Sequence, residues 1–195
     1  PARQGEVSLA QGALKLKSLK RPGTNMQALV HFSGNQMTIE KCSGKMGKGT
    51  YSLTGSTCFS GKGFYQYEFG LQADKLDLEC PFYRGPLSGK LYLTEGELFH
   101  KRLPKLSGNV FIDNAMISIP AIPDSKGELP AVLLDFDVNL GKKVHFFSAS
   151  LYDMRLAGSA HFGGITLHPQ TSGTISVLRG TVTYNNTVFK IREGD

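Results

Sequence analysis

The sequence Gly89-Lys-Leu91-Tyr-Leu93-Thr-Glu-Gly96-Glu-Leu98 is repeated, with changes, along this chain of 195 residues. After a first glycine, apolar side chains stand two positions apart, and a second glycine precedes a further apolar residue. Residues two apart lie on the same face of a β-strand. A glycine-bearing turn between two such runs is typical of a β-hairpin. The phrase therefore predicts hairpins that present apolar side chains to one side of a sheet.

Other copies of this phrase begin at Gly5, Gly108 and Gly173, and the copy at Gly108 has alanine in place of the second glycine. The copy at Gly5 and the alternating residues after it predict a first hairpin over residues 5–19. Matching positions in different copies should share a face, since each copy adds another apolar strip to one surface. The alignment predicts two such pairs: Leu91 with Val110, and Leu98 with Ile117.

The length of 195 residues allows one β domain or two small ones, and we expect a single all-β domain over residues 1–195. The chain has 23 glycines, which suits many tight turns, and its hydrophobic content of 40% is ordinary for a globular protein. Apolar residues nowhere keep helical spacing over three turns with a cap at each end. We predict a long antiparallel, meandering sheet built of hairpin repeats, a proline-rich loop at 120–130, and one short helix around residues 148–153.

The net charge of +6 at pH 7 suggests a basic surface. Lysines such as Lys15 and Lys17 alternate with leucines, which favours the solvated face of a strand. The sequence lacks the interleaved aromatics and arginines of a stacking platform for nucleic acid. We therefore expect no nucleic-acid partner.

Candidate catalytic and metal-binding residues are sparse. The five histidines and three cysteines do not stand at metal-ligand spacings, so we predict no metal site and no cofactor. Asp135 and Asp137 would lie about 7 Å apart on one strand face, a possible carboxylate pair, although the polar side of an amphipathic strand is the favoured interpretation. Cys42 and Cys58 could be neighbours on adjacent strands, but their spacing does not establish a disulfide. We predict no catalytic residues and no enzyme activity.

The run from Leu106 to Asp195 resembles the C-terminal domain of the translocation and assembly module TamB, in the AsmA-like group of bacterial envelope proteins. The resemblance rests on the order and spacing of segments 106–120, 134–141, 156–162 and 172–184. The first hundred residues fit the looser repeat style of that family.

The resemblance implies a sheet curled into a U-shaped hydrophobic groove, called a β-taco. It implies a periplasmic protein whose parent is anchored in the inner membrane, so we expect this chain to be a C-terminal fragment that meets membranes through other parts of that parent. It also implies phospholipid transport between the inner and outer membranes, outer-membrane biogenesis, and work with an Omp85-type outer-membrane barrel.

We predict the groove lining from apolar strand positions, none of which is charged, because an isolated charge in an apolar groove is costly. The predicted lining residues are Leu91, Leu93, Leu98, Val110, Ile112, Ile117, Ile119, Val132, Leu134, Phe136, Val138, Ile175, Val177, Val182 and Tyr184. The alternative is a closed sandwich whose two sheets pack these faces together.

Two other functions stay open on the sequence. The closing strand with Val188, Phe189 and Ile191 is a natural sheet edge, which could dock an outer-membrane assembly barrel by strand addition in protein translocation or secretion. A parallel β-helix enzyme acting on polysaccharide would need a clustered acidic or arginine site, and the sequence provides no such cluster.

Overall fold

The computed structural model describes residues 4–61, 63–118, 130–148, 151–185 and 187–192. These residues form one twelve-stranded sheet and no helix, so the predicted all-β fold is confirmed. The strands are β1 Gln4–Leu9, β2 Thr24–Ser33, β3 Gln36–Met46, β4 Gly49–Ser60, β5 Gly63–Cys80, β6 Tyr83–Leu98, β7 Lys101–Ile112, β8 Ala115–Ser118, β9 Leu133–Ser148, β10 Tyr152–Ile165, β11 His168–Tyr184 and β12 Thr187–Ile191.

The sheet is a long meander with one parallel step in its middle. Strands β1 to β7 pair antiparallel in chain order, and so do β9 to β12. Strand β9 runs parallel to β7, and also parallel to β8, which extends the line of β7 and pairs antiparallel with β6. The predicted proline-rich loop at 120–130 falls in this crossover and lies outside the described residues except for Pro130.

The repeated phrase does not form hairpins, contrary to the sequence prediction. The copy at Gly89 lies within the single strand β6, and the copy at Gly173 lies within β11. The copy at Gly108 passes from β7 into β8 through an irregularity at Asp113 and Asn114, without reversing direction. In the copies at Gly89 and Gly108 the chain keeps its direction because neighbouring strands pair on both sides of most of the copy, which satisfies the backbone groups that a turn would leave free.

The first glycine of the phrase bends a strand. Gly89 has a φ of 152° and Gly108 a φ of 125°, a region that only glycine adopts readily. A Cβ at Gly89 would collide with the carbonyl oxygen of Asn109, and one at Gly108 would collide with that of Lys90. Glycines of this kind introduce curvature into a sheet because neighbouring strands can approach closely there.

The predicted first hairpin over residues 5–19 is also wrong. Strand β1 pairs with β2 instead, and residues 10–23 form a connection between them. In that connection the Lys20 amide donates a hydrogen bond of 2.9 Å to the Glu79 carbonyl oxygen. Glu79 is near the end of β5, beyond the residues that pair with β4, so this connection covers backbone that β4 leaves unpaired.

The described residues around 148–153 do not form the short helix that the sequence predicts. Ser148 ends β9 and Tyr152 begins β10, and these two residues pair directly across the hairpin. Residues 149 and 150 lie outside the described part. The long ladder between β9 and β10 supplies many more backbone hydrogen bonds than one isolated helical turn could.

Cys42 and Cys58 do not face each other. Cys42 pairs with Leu53 of β4, while Cys58 lies opposite Gln36 of β3. Both cysteines and Cys80 are free thiols. Burial raises the pKa of the Cys42 thiol, which makes its reactive thiolate form scarcer.

Candidate functional site

The strand register aligns apolar residues into rows that cross the sheet. Directly paired residues on adjacent strands project from the same face, so a row of partners traces a continuous surface. One row crosses from β1 to β11 through Leu9, Ala28, Cys42, Leu53, Leu71, Leu91, Gly108, Phe136, Phe162 and Thr171.

The next rows on the same side are also uncharged. One contains Tyr51, Ala73, Gly89, Val110, Val138, Ala160 and Gly173, and the other contains Leu76, Leu87, Ile112, Leu140, Gly158 and Ile175. We call this side of the sheet the apolar face and the other side the polar face. The apolar face is continuous across the parallel step between β7 and β9.

Most of the predicted lining residues share the apolar face. By pairing and alternation these are Leu91, Leu93, Val110, Ile112, Ile117, Leu134, Phe136, Val138, Ile175, Val177, Val182 and Tyr184. The prediction that Leu91 and Val110 face the same side is confirmed, because Leu91 pairs with Gly108 and Gly89 with Val110.

Three of the predicted lining residues are not in this set. Leu98 lies on the polar face with Lys90, because β6 alternates without a break from Leu87 to Leu98. The prediction that Leu98 and Ile117 face the same side of the sheet is therefore wrong. Val132 precedes β9, where its carbonyl accepts a hydrogen bond of 3.0 Å from the Thr166 amide. Ile119 lies outside the described residues.

Several members of the apolar face are not among the predicted lining residues. They are Leu53, Leu71, Leu87, Leu106, Leu140 and Phe162. The alternation of apolar residues in these strands was the available signal. The prediction concentrated on copies of the repeated phrase, although the face extends through strands that lack it.

The apolar face is buried at its centre and open towards its ends. Val144 is fully buried and Val110 is 7% exposed, whereas Leu93 is 37%, Ile175 45% and Tyr184 75% exposed. The accessible surface of the chain is 13600 Å², against about 9,000 Å² for a compact protein of this mass. The chain as a whole therefore exposes more surface than a compact closed sandwich of the same mass would.

Aromatic side chains line part of this surface. The rings of Phe136 and Phe162 stack with centroids 5.2 Å apart, and those of Phe146 and Tyr152 stack at 4.8 Å. Such pairs add attraction beyond the area that they bury. These ring pairs extend the apolar surface across β9 and β10 without adding a charge.

Charged residues mark one limit of the apolar face. Beyond Leu93 the same alternation brings Glu95 of β6 and Arg102 of β7 to this side. The Arg102 guanidinium lies 3.5 Å from the Glu95 carboxylate, and the Gln66 amide donates a hydrogen bond of 2.7 Å to the same carboxylate. These two charged residues therefore mark where the uncharged surface ends, near the sheet margin.

The polar face carries the carboxylates considered above as a possible catalytic pair. Lys105 Nζ lies 2.6 Å from Asp135 Oδ2, and this hydrogen bond is the main cause that lowers the pKa of Asp135. His161 Nδ1 lies 2.9 Å from Asp137 Oδ1. Both carboxylates therefore contact basic side chains on the solvated polar side of β9, as the favoured interpretation predicted. Within the described residues no group of His, Cys, Asp and Glu side chains could hold a metal ion.

The predicted edge is the last strand of the sheet. In β12, Val188, Phe189 and Ile191 pair with β11 on one side only, as far as the described residues extend. Val188 is 58% and Phe189 54% exposed. Strand β11 is much longer than β12, so its segment 168–179 also has an unpaired side in the described sheet.

Comparison with known proteins identifies the family. A family model, the TamB C-terminal domain, matches residues 40–195. This chain belongs to the TamB C-terminal domain family. The match begins well before Leu106, so it includes strands that the sequence resemblance covered only loosely. Searches of curated proteins and of solved structures gave no match.

Membership gives the chain a TamB-like role in envelope biogenesis and an envelope location, as part of a transport and assembly module. No helix in the described part of the chain is long and apolar enough to cross a membrane.

Proposed function

We propose that this TamB domain is a periplasmic groove module that carries phospholipid between the inner and outer membranes, and so supports outer-membrane biogenesis. The proposal depends on one observation: an uncharged apolar face runs across the sheet and stays partly open. Large exposed apolar surfaces are uncommon on monomeric proteins and usually mark sites that bind lipid or protein. In this proposal the parent protein is anchored in the inner membrane and catalyses no reaction.

The energetics favour acyl chains as the ligand. Each buried methylene gains about 0.8 kcal/mol relative to water, so a chain of roughly 16 carbons in water costs on the order of 10 kcal/mol. An apolar surface replaces that water, and a sequence of equivalent rows lets an acyl chain move without crossing a high barrier. The lipid headgroup would stay in solvent at the open side.

Photo-crosslinking tests which face the lipid contacts. A photoreactive residue at Leu93 or Ile175 should label phospholipid acyl chains, since both positions are on the apolar face and exposed. The same residue at Lys90, on the polar face of β6, should label little lipid. Equal labelling at Lys90 and Leu93 would contradict the proposal.

Charge insertion tests transport itself. Leu93→Glu should reduce phospholipid transfer between donor and acceptor vesicles, because an ionised carboxylate in an apolar site is strongly unfavourable. Tyr92→Glu is the matched control, since Tyr92 is a similarly exposed neighbour on the polar face. Transfer that falls equally in both variants would indicate a general loss of structure or function rather than a blocked groove.

A second candidate function is docking of an Omp85-type barrel by strand addition, for protein translocation or secretion. The unpaired sides of β12 and of segment 168–179 favour it, because an added strand could complete their backbone hydrogen bonds. Removal of 188–191 should then abolish barrel binding and leave vesicle-to-vesicle lipid transfer intact. The groove proposal alone expects no such separation.

A further inference from the structure

A row of basic side chains crosses the polar face, opposite the proposed groove. The register pairs Arg84 of β6 with Met116 of β8, Met116 with His145 of β9, His145 with Arg155 of β10, and Arg155 with Arg179 of β11. Three of these five positions on adjacent strands are arginine and one is histidine. We call these residues the basic row.

Two concave sites lie along the basic row and share His145. The one at β10–β12 has a volume of about 380 Å³ and is lined by Arg155, Arg179, Lys190 and Arg192, with Asp153 as its one lining carboxylate. Asp153 Oδ1 is 3.3 Å from His145 Nδ1, whereas Arg155 Nη2 lies near Nε2 of the same ring. A concave site with such an excess of positive charge concentrates anions.

The second site, of about 800 Å³, continues the positive charge across β5–β9. Its lining includes five Lys and Arg side chains and one carboxylate, Asp77. Arg21 is paired with that carboxylate, with 2.7 Å between Arg21 Nη1 and Asp77 Oδ2. The side-chain ammonium groups of Lys48, Lys75 and Lys143 form no salt bridge within 4.0 Å in the described part of the chain.

Arg155 shows the strongest sign of a ligand site. Its Nε is buried and has no hydrogen-bond partner in the part of the chain that is described, and its Nη2 lies 3.4 Å from His145 Nε2. A buried donor without an acceptor costs about 1–3 kcal/mol, more when charged. Arg179 stands directly opposite, and like charges in that arrangement are destabilising. An anion between the two arginines would remove this repulsion and offset the cost of the partly buried Arg155 charge.

We propose that Arg155 and Arg179 bind a phosphate group, with Lys190 and Arg192 adding charge at the same site. The planar guanidinium donates paired hydrogen bonds that match phosphate oxygens, which suits a phosphate better than a simple halide. The phosphate could belong to an anionic lipid headgroup or to a soluble phosphorylated compound. The site is on the polar face, so it does not depend on the groove proposal.

Binding of inorganic pyrophosphate to the full chain, measured by calorimetry, tests the soluble source. Co-sedimentation with phosphatidylcholine vesicles that contain or lack phosphatidylglycerol tests the lipid source. At least one probe should bind, and Arg179→Gln should weaken that binding about tenfold, as expected for one lost charge-assisted hydrogen bond. Lys90→Gln is the control, because it removes one charge from the polar face outside both sites.

Arg179→Lys separates phosphate recognition from general attraction, since lysine keeps the charge without the planar fork. It should bind more weakly than the wild type and more tightly than Arg179→Gln. Competition by pyrophosphate against vesicles would show that both sources use this site. If neither probe binds, or if Arg179→Gln binds as well as Lys90→Gln, the proposal is wrong.

Thermal unfolding gives an independent readout. Without an anion, Arg179→Gln should be at least as stable as the wild type, because the change removes repulsion from Arg155. The binding probe should raise the unfolding temperature of the wild type and of Lys90→Gln, but raise that of Arg179→Gln much less. An Arg179→Gln variant that is less stable without an anion would instead indicate a purely structural arginine.

Discussion

At the scale of single residues, the first glycine of the phrase bends the strand in three of the four copies, at Gly89, Gly108 and Gly173, each of which has a positive φ. Gly108 pairs with Leu91 on one side and with Phe136 on the other, within the longest apolar row. Its φ of 125° and its closeness to Lys90 leave no room for a side chain. The glycine therefore lets the sheet bend where the apolar face must remain continuous.

Gly108→Ala should destabilise the domain by about 1–3 kcal/mol, because alanine strains this backbone conformation and collides with β6. Urea unfolding measures the change. Gly5→Ala is the control, since a Cβ there meets nothing within 4 Å. It should stay within about 0.5–1 kcal/mol of the wild type. Similar losses in the two variants would contradict a special role for Gly108.

At the scale of elements, the connection at 10–23 takes the place that a further strand would hold beside β5. Its Leu19 packs against a buried cluster of Met46, Ala73 and Leu76. Leu16, in the same connection, is 44% exposed. Leu16 and Leu19 are three positions apart, so alternation would place them on opposite faces of a strand, but the pattern does not specify which element covers either face.

Leu19→Ala should lower the free energy of unfolding by about 1–2 kcal/mol, the loss of a partly buried leucine side chain. Leu16→Ala should change it by less than about 0.5 kcal/mol. Chemical denaturation of both variants checks the difference. Equal and small effects would mean that this connection does not stabilise the sheet.

At the scale of the whole molecule, the large accessible surface separates this sheet from a compact sandwich. A compact chain of this length has a radius of gyration of about 16 Å. Small-angle scattering of the monomer should give a clearly larger value, because eleven of the described strands extend side by side in one sheet and β8 continues the line of β7. A monomer radius near 16 Å would show that the sheet closes on itself in solution.

The sequence by itself determined the all-β class, the period-two apolar strips and the family resemblance. Alignment of the copies also predicted that Leu91 and Val110 share a face, and the register of β6 with β7 confirms it. The error at Leu98 came from reading a turn at Gly96, where the local signal of glycine serves equally for a turn or a bend.

Only the tertiary structure decided the continuity of the strands, the parallel step between β7 and β9, and the rows that cross the sheet. These depend on the register between residues far apart in sequence, which is fixed by pairing on both sides of each strand. The basic row is of this kind. The spacing of Arg155 and Arg179 in the sequence does not indicate a site. The two residues lie opposite each other because of the register in which β10 and β11 pair.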